Sequence, residues 1–206
     1  MAKTKTKTKT KTKTKPYYRK RPSHRGMRDK RYRKTEEAIL EVLLKAKKMP
    51  STTELTKRGR ISRSTLYRHH RAIPGIIPDY EHDITIVFKQ EVSSTLKRRR
   101  DATIESIYLK ILFFVLRYKR VFKILFKYSG DRVVENMVLA VKDLIAINCH
   151  LPKNSDRLFK IYAKEVAGIV EDWNDNDFSE HEINRILKDI VYLTTTMKQR
   201  LAPIRR

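Results

Sequence analysis

The sequence predicts an all-α protein on three observations. Beyond residue 35, apolar residues recur at spacings of three and four; only five Gly and seven Pro are present in 206 residues; and no run of strand-like segments occurs. Apolar residues make up 40% of the chain, enough to bury a core. The predicted organisation is a disordered basic tail over 1–27, a three-helix unit over 28–77, and a larger helical domain over 78–206.

The charge is uneven. Lys and Arg number 48 against 23 Asp and Glu, a net +25, and residues 1–34 hold 16 basic groups against one acid, Asp29. Such an excess speaks of polyanionic partners rather than of fold. The single cysteine, Cys149, excludes an internal disulfide framework and a thiolate-rich zinc site. A start charged from Lys3 onward is unlike a secretory signal. The most apolar segment, 107–126, carries Lys110, Arg117, Lys119, Arg120 and Lys123, too many charges for a membrane span. A soluble cytoplasmic protein with no membrane partner is the expectation.

Residues 3–15 alternate Lys and Thr, a tract with nothing to bury and like charges that repel. From Pro16 the tail mixes aromatics with arginines, and Arg19, Arg21, Arg25 and Arg28 are candidate contacts to a DNA backbone or minor groove.

Residues 35–47 place Ala38, Ile39, Val42, Leu43 and Ala46 on one face and Glu36, Glu37, Glu41, Lys45 and Lys47 elsewhere, the pattern of an amphipathic helix. Ser51-Thr-Thr-Glu54 reads as a capping box that opens a second helix, broken by Gly59. Ser62 caps a third helix from Arg63, which Pro74 and Gly75 stop. Leu55, Ile61 and Leu66 would fix the two short helices on Ile39 and Leu43, giving the outline of a helix-turn-helix. Arg63, Ser64, Tyr67, Arg68 and His69 would face outward with no carboxylate among them, as suits a surface set against phosphates. The alternative for Tyr67 is a core ring with its hydroxyl at the surface.

Pro78 can open a helix running through Leu96 to the triplet Arg98, Arg99 and Arg100, which suits a helix C-terminus. Helical patterns follow at 101–127, 131–149, 156–172 and 180–200, the last after a second capping box, Ser179-Glu-His-Glu182. Tyr108, Phe113, Phe114, Tyr118, Phe122 and Phe126 fit either a core or the wall of an effector cavity. Trp173 reads as a helix-end plug. Ile161, Val166, Ile169 and Val170, with Ile183, Ile186, Leu187, Ile190, Val191 and Leu193, exceed what one packed face needs, so a partner subunit or a thick core would bury them.

No phosphate-cradling glycine loop, nucleophile elbow or His-Glu-x-x-His pattern is present, and the six histidines are scattered. No enzyme activity, metal site or cofactor is expected.

The run Leu55-Thr-Lys-Arg-Gly-Arg-Ile-Ser-Arg-Ser-Thr-Leu-Tyr-Arg-His69 resembles the helix-turn-helix of TetR-type transcriptional regulators, whose usual form is Leu-Ala-x-x-Ala-Gly-Val-Ser-x-x-Thr-Leu/Phe-Tyr-x-His-Phe. Arg33, Thr35, Ala38 and Ile39 resemble that family's first helix. The likeness covers about residues 28–80 and implies a homeodomain-like DNA-binding domain whose third helix enters the major groove. By it, Arg63, Ser64 and His69 are candidates for base edges, and Ser51, Thr65 and Tyr67 for phosphates. Arg68 and Arg60 are backbone contacts or exposed charges.

The resemblance further implies a homodimer through 156–172 and 180–200, packed as a four-helix bundle, and a small-molecule effector. The function so implied is a repressor on a palindromic operator in double-stranded DNA. The alternative is an architectural or non-specific nucleic-acid-binding protein driven by the basic tail. Three departures mark this chain: Gly59-Arg60 replaces the family's Ala-Gly, His70 replaces a core aromatic, and Ile73 stands near where a phosphate-binding Lys commonly opens the fourth helix.

Overall fold

The computed structural model describes residues 30–70, 72–93, 103–149 and 156–201, and these form helices and short connections with no strand among them. The chain divides into two compact units, Met1–Lys34 and Thr35–Arg206. Of the first, residues 30–34 are described and are helical. The second holds every later element, on both sides of the boundary expected at 77/78. The Lys-Thr tract, the tail residues Arg19, Arg21, Arg25 and Arg28, and the Arg98, Arg99, Arg100 triplet lie outside the described residues.

Helix α1 (Lys30–Lys45) starts five residues earlier than its apolar periodicity, because Lys30 to Lys34 contain nothing that stops a helix. Of the predicted face it buries Ile39, Val42 and Leu43, with Ala38 half-buried and Ala46 buried just past its end. Helices α2 (Thr52–Gly59) and α3 (Arg63–His69) pack on each other. Leu55 and Leu66 are buried completely or nearly so in the core that contains Ile39 and Leu43. Removing each of these side chains from water contributes about 1.5–3 kcal/mol.

A 3₁₀ turn, Ile73–Gly75, leads into α4 (Ile76–Phe88). Pro78 lies in the first turn of α4, where its missing N–H leaves no ladder bond unmade. Ile76, Tyr80, Ile84 and Phe88 recur every fourth residue and are buried. The helix expected to run through Leu96 keeps its α-ladder to Phe88 and then gives way to a π turn, Lys89–Ser93; residues 94–100 lie outside the described residues.

Two segments read as single helices are broken. The first is α5 (Ile104–Arg117) and α6 (Lys119–Ser129), parted at Tyr118, whose φ of −107° and ψ of 22° leave the helical region. The second is α7 (Arg132–Ala140) and α8 (Lys142–Cys149), parted at Val141. Neither break carries Gly or Pro, so periodicity alone runs across it. A straight helix over the first segment would present apolar residues all round. The break lets Ile107, Ile111 and Val115 on one half and Phe122 and Leu125 on the other all reach the core. Gly130 closes α6 at a φ of +70°, where a side chain would be strained.

Helices α9 (Asp156–Asp175) and α10 (Ile183–Leu201) pack on one another. Helix α9 also packs on α7, and α10 on α5. The capping box expected at Ser179 does not form. Its hydroxyl caps nothing, a 3₁₀ turn Glu180–Glu182 intervenes, and the Ser179 carbonyl accepts from Trp173 Nε1 at 2.8 Å. Trp173 is fully buried against Phe178, as the helix-end reading of it expected.

The aromatics of α5 and α6 form core. Phe114 stands edge-on to Phe88 and Phe122, Phe126 meets Phe178, and Tyr108 is fully buried; Phe113 is exposed. Most apolar residues of α9 and α10 also serve this chain's own core, but Leu158, Ile161 and Tyr192 are exposed. Among the described residues, no helix is long and apolar enough to cross a membrane.

Candidate nucleic-acid interface

The interface is built around α2, a three-residue turn and α3. The predicted capping box forms in full: Ser51 Oγ accepts from the Glu54 amide at 3.3 Å, and Glu54 Oε2 accepts from the Ser51 amide at 2.8 Å. The Ser51 amide and hydroxyl hold the Glu54 carboxyl below its ordinary value, so its charge is retained and is directed into the cap. Ser51 is exposed at that helix start.

Helix α2 ends in a left-handed residue, as helices commonly do, but the residue is Arg60 instead of glycine, with φ 50° and ψ 41°. Both the Arg60 and the Ile61 amides donate to the Thr56 carbonyl, Ile61 at 3.1 Å, closing the turn. With Gly59-Arg60 standing where the TetR-type pattern has Ala-Gly, the left-handed position of the turn falls on Arg60, a strained place for a side chain. Ser62 then caps α3, accepting from the Thr65 amide at 3.0 Å, and its oxygen lies 2.8 Å from the hydroxyls of both Ser64 and Thr65.

Leu66 faces inward from α3, and Arg63, Ser64, Tyr67 and Arg68 face outward as one contiguous exposed strip. Arg63 Nη2 donates to Thr53 Oγ1 at 3.3 Å, spanning the groove between the starts of α3 and α2. Tyr67 is 49% exposed, so the reading of it as a core ring does not hold. Thr65 is half-buried, and Arg68 leans back to within 3.5 Å of its hydroxyl. Arg60 is exposed beside this strip. From Leu55 to His70 the sequence contains no carboxylate, so the exposed groups here are cationic or neutral donors.

His69 departs from the expectation that it faces a base edge. Its ring is only 6% exposed, and Nδ1 lies 2.6 Å from Glu36 Oε1 on α1. The reason is charge: Glu36, placed by periodicity on the solvated face of α1, turns inward and draws the ring with it. His70 is buried, at the position where the TetR-type pattern it resembles has an aromatic, and lies against Tyr80, ring centroids 5.3 Å apart. Its Nδ1 is 3.1 Å from Asp79 Oδ2, and its Nε2 is 3.5 Å from Glu36 Oε2, which accepts from the Tyr80 hydroxyl at 2.7 Å. Burial alone would raise the Glu36 pKa, but the bonds from His69, His70 and Tyr80 and the His70 charge hold it far below the usual carboxylate range. Burial likewise acts to lower the His70 pKa, and the Glu36 and Asp79 carboxylates outweigh it and raise it.

Sequence reasoning missed Glu36, Asp79 and Tyr80. The one local signal was His70 itself, a polar ring at a position where the TetR-type pattern has a core aromatic; nothing in the spacing pointed to Glu36, Asp79 or Tyr80 as its neighbours. Among the described residues, no group of three or more His, Cys, Asp or Glu side chains is arranged to hold a metal ion. No family model, curated protein or solved structure matches the chain.

Proposed function

We propose that this chain is a DNA-binding transcriptional regulator of TetR type, with a helix-turn-helix formed by α2 and α3 and a dimerisation domain in the helices that follow. One observation carries the reading: a short helix, locked from below by Leu66 and the histidine pair, offers Arg63, Ser64, Tyr67 and Arg68 to solvent with no acid among them. Such a helix fits the major groove. There the Arg63 fork can engage guanine O6 and N7 together, a pairing worth about 1–3 kcal/mol against a wrong base. Tyr67, Thr65, Ser51 and Arg68 are suited to phosphates, and Arg60 to the backbone beside them.

Exposed Leu158, Ile161 and Tyr192 support a homodimer through α9 and α10, Ile161 at 52% and Tyr192 at 76%. So does the charge of α9. Its first half carries Arg157, Lys160 and Lys164 against Asp156 and Glu165, a net +1, and its second half only the acids Glu171, Asp172 and Asp175, a net −3, so antiparallel pairing with a second copy sets the acidic end beside the weakly basic one. The protein as proposed acts as a repressor on a roughly palindromic site, responsive to a small-molecule effector, in a cytoplasm where DNA is accessible.

Selection of duplexes from a random pool tests this. A defined, dyad-symmetric preference is expected, with affinity falling by about 0.9 log unit per neutralised phosphate for each log unit of salt. Return of no preference overturns it. The net +15 of residues 1–34 favours a second reading, an architectural protein whose tail supplies the affinity. Deletion of residues 1–15 separates the two: a regulator keeps its preferred site with weaker overall binding, and an architectural protein loses most binding.

A further inference from the structure

A helix of seven residues is too short to hold its own orientation, so what grips its ends decides where its outward side chains stand. At the amino end of α3 the grip is the Ser62 cap, and along its length it is Leu66. At the carboxyl end it is a polar cluster under the surface: Glu36 from α1, His69 and His70 from the end of α3, and Asp79 and Tyr80 from α4.

The proton inventory of this cluster is specific. An ionised carboxylate only accepts, so His69 Nδ1 and the Tyr80 hydroxyl must each donate to Glu36. Both His70 nitrogens face carboxylate oxygens: Nδ1 is hydrogen-bonded to Asp79 Oδ2 at 3.1 Å, and Nε2, buried and without a hydrogen bond of its own, lies 3.5 Å from Glu36 Oε2, where a lone pair would meet an ionised oxygen. A neutral imidazole has one N–H and can satisfy one of them; only the imidazolium presents a proton to both. The groups facing His70 are thus Glu36 from α1, Asp79 and Tyr80 from α4, and His69 beside it in the chain.

We infer that Glu36 is a positioning residue for DNA recognition: through His69 and protonated His70 it fixes the carboxyl end of α3 on α1 and α4, so that sequence-selective binding weakens when His70 loses its proton. The inference rests on the DNA-binding reading and adds its regulation. Burial acts to lower the His70 pKa, but the Glu36 and Asp79 carboxylates outweigh it and place the loss of that proton above the ordinary histidine value. Deprotonation leaves a buried, ionised Glu36 without its compensating charge, and the end of α3 loses one of its holds. An orientation error at one end is carried to Arg63 and Tyr67, whose contacts depend on sub-ångström placement.

The test uses the full chain and two duplexes, one selected by the wild-type protein at pH 6 and one scrambled from it, with affinities measured from pH 6 to 8.5 at fixed ionic strength. Selective binding by the wild type should fall about fivefold or more over that interval, with the scrambled duplex changing less. His70→Phe, which fills the same space with the family's aromatic, should bind with no such slope. Glu36→Gln should bind more weakly at pH 6 and also lose the slope. An unchanged slope in His70→Phe, or wild-type affinity and slope in Glu36→Gln, overturns the inference; if Glu36→Gln does not fold, the His70→Phe slope decides. Titration of the His70 ring by nuclear magnetic resonance, without DNA, should show a raised pKa that drops in Glu36→Gln or, where that variant does not fold, in Asp79→Asn. A raised His70 pKa in a protein that selects no duplex at any pH means that the DNA-binding reading has failed while the cluster stands. An ordinary His70 pKa in a protein that does select duplexes means that the positioning inference alone has failed.

Discussion

The Tyr128 hydroxyl donates to the Leu43 carbonyl at 3.0 Å, so the last turn of α6 caps the last turn of α1 from 85 residues away. A helix leaves its final four carbonyls without internal partners, and α1 ends without a glycine to satisfy them. Lys127 completes the cap, its ammonium donating to the Leu44 carbonyl at 2.8 Å and to Leu43 at 3.2 Å. A cation at that end also suits the helix macrodipole.

Tyr128→Phe removes one donor and keeps the ring. It should lower the unfolding free energy by about 1 kcal/mol, seen as a lower urea midpoint with an unchanged slope. An unchanged midpoint would show that Lys127 or water serves the Leu43 carbonyl equally well.

Arg60 offers a separation of backbone from charge. In its left-handed conformation an L side chain costs about 1–2 kcal/mol, part of which is recovered in the unfolded chain by its lower freedom relative to glycine. Arg60→Gly should therefore raise stability by about 0.5–1 kcal/mol in urea unfolding, and Arg60→Val, β-branched at positive φ, should lower it. If Arg60 also touches a phosphate, Arg60→Gly reduces the salt slope of DNA binding by about one contact even as the fold becomes more stable.

The histidine cluster predicts how stability depends on pH, quite apart from DNA. The Glu36 pKa is depressed in the folded state, so its contribution is present above its ordinary value of 4.5 and is lost as pH falls toward the much lower folded value. The His70 pKa is raised, so its contribution is complete below 6.5 and is lost as pH climbs through the folded value. Their joint plateau lies between 4.5 and 6.5. Unfolding by urea at pH 5.5 and 8.5 should show the wild type losing more stability between the two than His70→Phe does. Because the variant carries the same other titrating groups, the difference isolates His70; equal losses would remove it from the account.

What the sequence disclosed was local. The Ser51 and Ser62 caps, the Gly59-Arg60 turn and the burial of Leu55 and Leu66 each depend on residues a few positions apart, and spacing reports those directly. Glu36 depends on partners 33 and 44 residues away, and helical periodicity carries no information about a carboxylate that turns inward to meet a distant ring. The same blindness joined α5 to α6 and α7 to α8, because Tyr118 and Val141 break their helices through packing and not through any local signal. Ser179 errs in the other direction. Its capping-box spelling is present, but its carbonyl is bonded to the Trp173 ring and a 3₁₀ turn occupies the positions a box would need.

Arg63 and Tyr67 lie one turn apart on the exposed strip of α3, and under the DNA-binding reading proposed above their chemistry would divide the work of recognition between them. Arg63 has five donors in a planar fork, and only its weak bond to Thr53 at 3.3 Å must be given up before that fork can engage a base edge. Tyr67 carries one hydroxyl on a stiff ring, which on that reading would reach a phosphate as readily beside one base pair as another. Arg63→Ala should therefore cost about 1–3 kcal/mol on the preferred duplex and little on a scrambled one, relaxing preference at one or two positions of a selected site. Tyr67→Phe should weaken both duplexes alike and leave the selected sequence unchanged. Measured side by side in the same salt, the two variants give opposite signatures, and an exchange of those signatures would move base reading from the amino end of α3 to its middle.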